Sequence, residues 1–207
     1  MLGGYPDFGT TILMDMCESK QNQYQIIENL LKRGANPNIG GWITKKTPLM
    51  LGVYYSAVTK LLIRYGADPN AVDSKGYTAL MYACISGNLS SIKALLKRGA
   101  DISVIANNGK SVVSIVLTEC DLLDMNWGYI PRFEDVLNEN DCSLPEDIMH
   151  PDMEDYRKCA NKLLYLIVTT LLKHGARVST KNIEECGKSV PPDIVNLLSE
   201  KVAAQFS

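Results

Sequence analysis

Apolar residues return at helical spacing along much of the chain, and the same arrangement repeats at a nearly constant interval. A Leu-Leu pair is followed within four residues by a Gly-Ala pair, with the glycines at Gly34, Gly66, Gly99 and Gly175. The first three glycines are nearly evenly spaced, and the fourth follows after more than twice that interval. A period in the low thirties predicts a solenoid of stacked helical units, and the wide last interval predicts an insertion in the fourth unit.

The third period shows why each unit should fold as turn, helix, turn and helix. The stretch from Asp73 to Gly76 has the residues of a β-turn, and Thr78 follows as a helix N-cap. Gly87 and Gly99 then end the first and second helices, because glycine enters the left-handed conformation without steric cost.

This order of residues resembles the ankyrin repeat. The segment from Asp73 to Asp101 matches the family pattern nearly in full, including the distance from Thr78 to Gly99. The resemblance implies an all-α ankyrin-repeat solenoid of helix-turn-helix units with β-hairpin or turn fingers, comprising about four repeats plus a degenerate C-terminal cap. The resemblance implies a single domain spanning residues 1–207. Its four repeats would cover about residues 5–38, 39–70, 71–103 and 104–178, and its cap residues 179–207.

The family's motif includes a histidine whose ring hydrogen-bonds across neighbouring turns. That position is occupied here by Met14, Met50, Met81 and Ser114. We therefore expect this array to lack those hydrogen bonds and to be less stable than an idealised array.

The copies differ mainly between their two helices, where the first is two residues longer and the second two residues shorter than the third. The fourth holds a long acidic insertion at about 121–160. The apolar pattern from Met153 onward predicts an extended second helix in this copy, and its first helix is expected to continue past Glu119. A fifth copy is predicted from Thr180, because Leu197 stands as far after it as Leu95 stands after Thr78.

The net charge of −2 is unevenly distributed. Residues 119–155 contain twelve acidic side chains and Arg132 alone as a base, whereas the rest of the chain has eleven acidic and twenty basic side chains. One hypothesis is that the acidic insertion folds back on the basic repeats and shapes or occupies their binding surface. The alternative is a solvated loop, with the basic residues complementing helix ends.

Composition and motifs argue against several other classes of protein. No apolar run approaches the length of a membrane span, and no basic segment followed by an apolar one opens the chain, so we expect neither a membrane span nor a secretory signal. The six cysteines form no Cys-x-x-Cys pair and only two histidines are present, so structural thiols without a metal or other cofactor are expected. These features predict a monomer in the cytoplasm, with the nucleus or the host-cell cytosol of a pathogen effector as alternatives.

The sequence contains no complete catalytic motif of the common kinds. Two Gly-Lys-Ser triplets, starting at Gly109 and Gly187, resemble the end of a phosphate-binding loop, but the glycine needed five residues earlier is Val104 or Asn182. Hydrolase, zinc-protease and protein-kinase motifs do not occur. We therefore expect no enzyme; the alternative is an enzymatic or nucleic-acid-directed activity in the insertion.

The expected function is a non-catalytic protein-protein interaction module, an adaptor, inhibitor or effector with a protein partner of unknown identity and no nucleic-acid target. In the ankyrin family, partners bind the concave side, formed by the finger tips and the exposed positions of the first helices. By this resemblance the candidate residues are Tyr5, Phe8, Trp42, Ile43, Lys46, Ser74, Lys75, Tyr77, Ile85, Ser86, Asn107, Asn108 and Lys110, and the insertion adds Trp127, Tyr129 and Phe133. Alternatively, Tyr5 and Phe8 cover the end of the core and Trp42 packs on its neighbouring finger.

Deleting residues 121–151 separates the two hypotheses for the insertion. If the acidic segment folds back on the basic repeats, its removal changes both the affinity for a protein partner and the salt dependence of binding, because it removes a competing charged surface. Binding isotherms at two ionic strengths measure this. Unchanged affinity and salt dependence would leave the solvated loop as the remaining description.

Overall fold

The computed structural model describes residues 11–19, 23–120, 153–184, 186 and 190–204. Within these ranges, ten helices follow one another in five pairs. The helices are α1 (Ile12–Glu18), α2 (Tyr24–Lys32), α3 (Pro48–Gly52), α4 (Ser56–Arg64), α5 (Ala79–Ile85), α6 (Leu89–Lys97), α7 (Val112–Glu119), α8 (Met153–Lys173), α9 (Thr180–Glu184) and α10 (Pro192–Ala203).

The pairs stack side by side in two layers. The first helices α1, α3, α5, α7 and α9 contact one another in sequence, and the second helices α2, α4, α6, α8 and α10 do the same. A hydrophobic core between the layers runs from Leu13 in α1 to Val202 in α10. The predicted all-α repeat solenoid is confirmed, and the segment inserted between α7 and α8 leaves both layers continuous.

A side-chain hydroxyl starts the first helix of each of the first four pairs. Thr11, Thr47, Thr78 and Ser111 accept a hydrogen bond from the backbone N–H three residues later, at 3.2, 3.4, 3.3 and 3.3 Å. Each bond satisfies one of the N–H groups that a helix leaves without a partner at its start. Thr78, predicted as an N-cap in the third unit, is therefore confirmed, and the first, second and fourth units have an N-cap hydroxyl at the same position.

The N–H donors in these caps belong to the residues at the family's histidine position. Met14, Met50 and Met81 are at most 2% exposed, so their side chains belong to the apolar core. Ser114 is different, because its hydroxyl accepts a hydrogen bond of 2.7 Å from the Asn182 side chain. At three of the four histidine positions of the motif, a buried methionine therefore packs in the core. At the fourth, the Ser114 hydroxyl links α7 to the C-terminal pair.

Asparagine side chains join the loop of one repeat to the loop of the next. The Asn38 amide donates to the Gly66 carbonyl at 2.9 Å and accepts from the Asp68 N–H at 2.8 Å. Asn70 does the same one repeat later, with the Gly99 carbonyl at 3.1 Å and the Asp101 N–H at 2.7 Å. We refer to these four hydrogen bonds as the asparagine ladder; they give the recurring Gly-Ala-Asp/Asn phrase a mechanical role between repeats.

The corresponding residues of the next repeat junction differ. Ser103 occupies the position of Asn38 and Asn70, and its hydroxyl donates to Asp101 of its own loop at 2.6 Å. In the following loop, Arg177 stands where the earlier loops have Asp68 or Asp101. Both partners of the link have therefore changed at the junction that contains the insertion.

The shortened turn between α3 and α4 is compensated by polar side chains of the next repeat. The Ser91 hydroxyl donates to the Val53 carbonyl at 2.8 Å, and the Asn88 amide donates to the Tyr54 carbonyl at 3.1 Å. Thr59, which is fully buried, also reaches the Ser91 oxygen at 3.0 Å. These bonds satisfy carbonyls that would be costly to bury without a partner.

The C-terminal pair has a different register from the predicted fifth copy. Asn182 accepts from the N–H and hydroxyl of Ser179, at 2.8 and 3.0 Å, so Ser179 precedes the helix as Thr78 precedes α5. Thr180 is instead the first helical residue. In α10 the fully buried leucine is Leu198, and Leu197 is only partly buried. The prediction that Thr180 corresponds to Thr78 and Leu197 to Leu95 is therefore wrong. The residues that take these roles are their neighbours, Ser179 before the helix and Leu198 in the core.

The two helices that flank the insertion behave differently. Helix α8 has 21 residues, compared with nine in α6, which agrees with the predicted extension. Helix α7 ends at Glu119, since Cys120 has an extended backbone with ψ of 128°. We expected α7 to continue past Glu119, and this prediction is wrong for the next residue, Cys120.

A left-handed residue lies two positions before the N-cap in three consecutive fingers, the turns that precede the first helices. The φ angles are 77° at Gly76 and 80° at Gly109, and Lys45 takes the equivalent place with φ of 58°. Its N–H donates to the Gly41 carbonyl at 2.9 Å. A side chain other than glycine is strained in this conformation, so Lys45 costs stability that glycine would not.

Replacing Asn70 by Ala removes two bonds of the asparagine ladder. We expect the free energy of unfolding to fall by about 1 kcal/mol, because two solvent-exposed hydrogen bonds between loops are exchanged for hydrogen bonds to water. Urea denaturation followed by circular dichroism measures this. The control Asn29→Ala, at an exposed position of α2, should stay within about 0.5 kcal/mol of the wild type; equal losses in both variants would contradict the role of the ladder.

Replacing Lys45 by Gly relieves the left-handed strain. We expect a gain of about 0.5–1 kcal/mol in the free energy of unfolding, since the relief exceeds the added backbone entropy of glycine in the unfolded chain. The same urea experiment applies. Lys75→Gly, one residue before the glycine of the next finger, is the matched control and should be destabilising; a loss in Lys45→Gly as well would show that Lys45 is unstrained.

Candidate functional site

Backbone hydrogen bonds join the fingers of the second, third and fourth repeats. The Ser74 N–H donates to the Thr44 carbonyl at 2.8 Å, and the Asn107 N–H donates to the Lys75 carbonyl at 3.0 Å. The Asn107 amide adds a bond of 3.1 Å to the Ser74 carbonyl. Residues 40–46, 72–77 and 105–110 therefore form one connected surface, which we term the finger row.

Large apolar side chains are exposed on each finger of this row. Trp42 and Ile43 are 73% and 66% exposed on the finger of the second repeat, Val72 is 50% exposed on the third finger, and Ile105 is 55% exposed on the fourth. Val72 and Ile105 each lie six residues before their helix N-cap, so they occupy the same position on neighbouring fingers. Consecutive repeats thus present apolar groups to solvent in register.

A polar network lies beside the third and fourth fingers. The Tyr77 hydroxyl, at 3.2 Å from both Glu119 carboxylate oxygens, donates to this carboxylate and accepts from the Asn108 amide at 3.0 Å. Lys110 forms an ion pair with Glu119 at 2.7 Å and donates to the Thr118 hydroxyl at 2.9 Å. Glu119, at the end of α7, therefore fixes groups from two fingers.

A buried carboxylate organises the third finger from inside. Asp73 is 6% exposed and accepts from the N–H groups of Lys75 and Tyr77, both at 2.8 Å, and from the Tyr82 hydroxyl at 2.7 Å. Burial, and secondarily the hydrogen bond to Asp73, raises the pKa of Tyr82, so its hydroxyl stays protonated and donates. Lys46 of the neighbouring finger lies 4.9 Å from the centre of the Tyr82 ring, a cation–π distance.

The structure separates the predicted site residues into three groups. Trp42, Ile43, Ser74 and Lys75 are exposed on the finger row. Lys46, Lys110, Asn107 and Asn108 are on the same row, with their side chains in the contacts described above. Tyr77 and Ser86 are only 7% exposed and Ile85 is half-buried, which reduces what these three can offer a partner.

The remaining predicted residues, Tyr5, Phe8, Trp127, Tyr129 and Phe133, lie outside the described residues. Sequence reasoning left Ile105 out of the site, although its distance of six residues from Ser111 equals that of Val72 from Thr78. The alternative that Trp42 packs on a neighbouring finger disagrees with its 73% exposure.

Three of the described cysteines belong to the apolar core. Cys17, Cys84 and Cys120 are buried, and none of them forms a disulfide bond. Burial raises the pKa of the Cys17 thiol to about 12, so this group carries almost no thiolate, the form that binds metals and attacks substrates, at neutral pH. Among the described residues, no group of His, Cys, Asp and Glu side chains is arranged to hold a metal ion.

None of the described helices combines the length and the apolar character that crossing a membrane requires.

Comparison with known proteins adds a sequence relationship to this geometry. Residues 13–106 match the family described as ankyrin repeats, in three copies. A putative ankyrin repeat protein from Acanthamoeba polyphaga mimivirus is 34% identical over 117 residues, which cover 52% of this chain and 20% of that protein. Ankyrin repeat and SOCS box protein 6 of Homo sapiens is 31% identical over 106 residues, covering 47% and 25%.

A further relative is transient receptor potential cation channel subfamily A member 1 of Homo sapiens, 35% identical over 97 residues, which cover 45% of this chain and 8% of the channel. The chain therefore spans at most a quarter of the length of these relatives. The matched residues contain α2 to α6, the asparagine ladder and the helix N-cap hydroxyls of Thr47 and Thr78. Over residues 13–106 the chain is therefore built from ankyrin repeats.

Proposed function

We propose that the chain is a non-catalytic module that binds a partner protein through the finger row. The single observation that carries this proposal is the exposure of Trp42, Ile43, Val72 and Ile105 on consecutive, hydrogen-bonded fingers. Ankyrin repeats are generic protein-protein interaction modules. No specific partner follows from this.

The chemistry of the row fits a protein surface with apolar anchors and a polar border. Tryptophan is enriched among residues that dominate binding energy, and Trp42 is the most exposed of the large apolar side chains described. The neighbouring groups of Lys46, Asn108 and Lys110 are already held by intramolecular contacts. Because these polar groups are pre-oriented, a partner that pairs with them loses less free energy to the ordering of side chains.

The backbone links between fingers support the same proposal. Thr44, Ser74, Lys75 and Asn107 place three fingers in one hydrogen-bonded array. A partner bound across the row therefore meets a connected surface and not three independent loops. The acidic insertion follows Cys120 in the sequence, and we propose that it adds Trp127, Tyr129 and Phe133 to the surface that partners meet.

A reducing compartment such as the cytoplasm is part of the proposal. Its support is that Cys17, Cys84, Cys120, Cys159 and Cys186, the cysteines in the described part of the chain, form no disulfide bond. Disulfides are rare in such compartments, where free thiols persist.

Replacing Trp42 by Ala tests the finger row. A protein that co-purifies with the wild-type chain from its native or host cells is identified, and its affinity for purified variants is measured by titration calorimetry. We expect Trp42→Ala to weaken binding by about tenfold or more, since truncating an anchor removes apolar contact area. The melting temperature should change little, because the side chain is mostly exposed.

Ile26→Ala is the matched control, because Ile26 is 46% exposed on α2, away from the fingers. Its affinity should equal that of the wild type. Equal binding by wild type and Trp42→Ala would overturn the proposed site. A large loss of thermal stability in Trp42→Ala would instead assign the side chain to packing.

A further inference from the structure

Helices α4 and α6 form a basic groove in the layer of second helices. The groove has a volume of about 450 Å³, and Ile63 and Ala94 supply its apolar lining. Its charged lining consists of Lys60, Arg64, Lys93, Lys97 and Arg98. We refer to these five side chains as the groove cations.

The groove cations follow the repeat period. Lys60 and Lys93 are one period apart, as are Arg64 and Lys97, so each cation of α4 has a counterpart on the neighbouring helix α6. Within each helix the two cations are four residues apart and lie on the same face. Like charges at this spacing disfavour a helix, so local helix stability does not account for the arrangement.

No described acidic side chain forms an ion pair with a groove cation. Neither α4 nor α6 contains an aspartate or glutamate. The ion pairs between two described side chains are Lys32–Glu28 and Lys110–Glu119, and neither involves a groove cation. In the first repeat, Glu28 stands at the position equivalent to Lys60 and forms an ion pair with Lys32 at 3.1 Å. The positive charge of Lys32 is therefore neutralised in that repeat.

Helix-end electrostatics explains only part of the pattern. Arg64, Lys97 and Arg98 lie at the C-terminal ends of their helices, where a cation complements the helix dipole. Lys60 and Lys93 are the fifth of nine residues in α4 and α6, outside the last turn. Capping therefore does not account for these two lysines, and the Lys60 ammonium donates at 3.3 Å to an uncharged group of the same groove, the Ser90 hydroxyl.

We propose that the basic groove binds an acidic segment of a partner protein. Carboxylates complement the five groove cations, and the half-buried Ala94 offers contact for an apolar side chain between them. The lining contains no aromatic ring on which a nucleic-acid base would stack, so polypeptide carboxylates fit this groove better than single-stranded nucleic acid. The groove is separate from the finger row, and this inference does not rest on the proposed function.

The test uses the full chain and a fluorescein-labelled peptide of four Glu-Glu-Leu triplets. Fluorescence anisotropy gives the Kd at low and at physiological ionic strength. The double variant Lys60→Glu, Lys93→Glu should raise the Kd by at least about tenfold, because two attractive contacts become repulsive. It should still fold, since each new glutamate lies four residues before Arg64 or Lys97, a stabilising order of charges.

The matched control is Lys162→Glu, Lys201→Glu, which changes net charge equally at exposed positions outside the groove. It should change the Kd by less than about twofold. A peptide with glutamine in place of glutamate should bind at least about tenfold more weakly than the acidic one. Equal weakening by both double variants would overturn the proposal, because it would show dependence on net charge alone.

Two further outcomes would also overturn it. The first is equal or tighter binding of a twelve-nucleotide oligothymidylate that is lost in the groove variant, which would assign the groove to nucleic acid. The second is peptide binding that appears only when the acidic residues of 121–152 are replaced by their amides, which would assign the groove to the chain's own acidic stretch. Binding by the unaltered chain, lost selectively in the groove variant, is the result expected.

Discussion

Contact between neighbouring repeats is the constraint on which the rest of this structure depends. One pair of short helices cannot bury its apolar face alone, and α3 and α9 have only five residues each. The core therefore exists only because each pair covers the next. The asparagine ladder sets this spacing from the loop side, since Asn38 and Asn70 each bind both a carbonyl and an N–H of the following loop.

Irregular lengths are tolerated where a neighbouring repeat supplies the missing polar partners. The short turn of the second repeat leaves carbonyls that Asn88 and Ser91 of the third repeat satisfy. At the junction with the insertion, the ladder residues are replaced by Ser103 and Arg177, and both helix layers nevertheless continue. The polar link between loops is therefore dispensable at one junction, provided that the apolar layers still pack.

The two candidate surfaces use different consequences of the same repetition. On the finger row, repetition places Val72 and Ile105 in register beside Trp42, so exposed apolar groups accumulate over neighbouring fingers. In the basic groove, repetition places Lys60 and Lys93 side by side on adjacent helices. A stack of similar units turns a single exposed side chain into a row, because each copy points in nearly the same direction as the last.

The sequence by itself determined the period, the all-α repeat class and the first-helix caps of the first four units, since local turn and helix signals recur along the chain. It also placed Trp42 and Ile43 on a finger. Only the tertiary structure decided that Tyr77 is buried beside Glu119, and that the C-terminal pair starts after Ser179. Those outcomes depend on contacts between residues far apart in the chain, such as Tyr77 with Glu119 and Ser114 with Asn182. Such contacts cannot be inferred from residue spacing within one repeat.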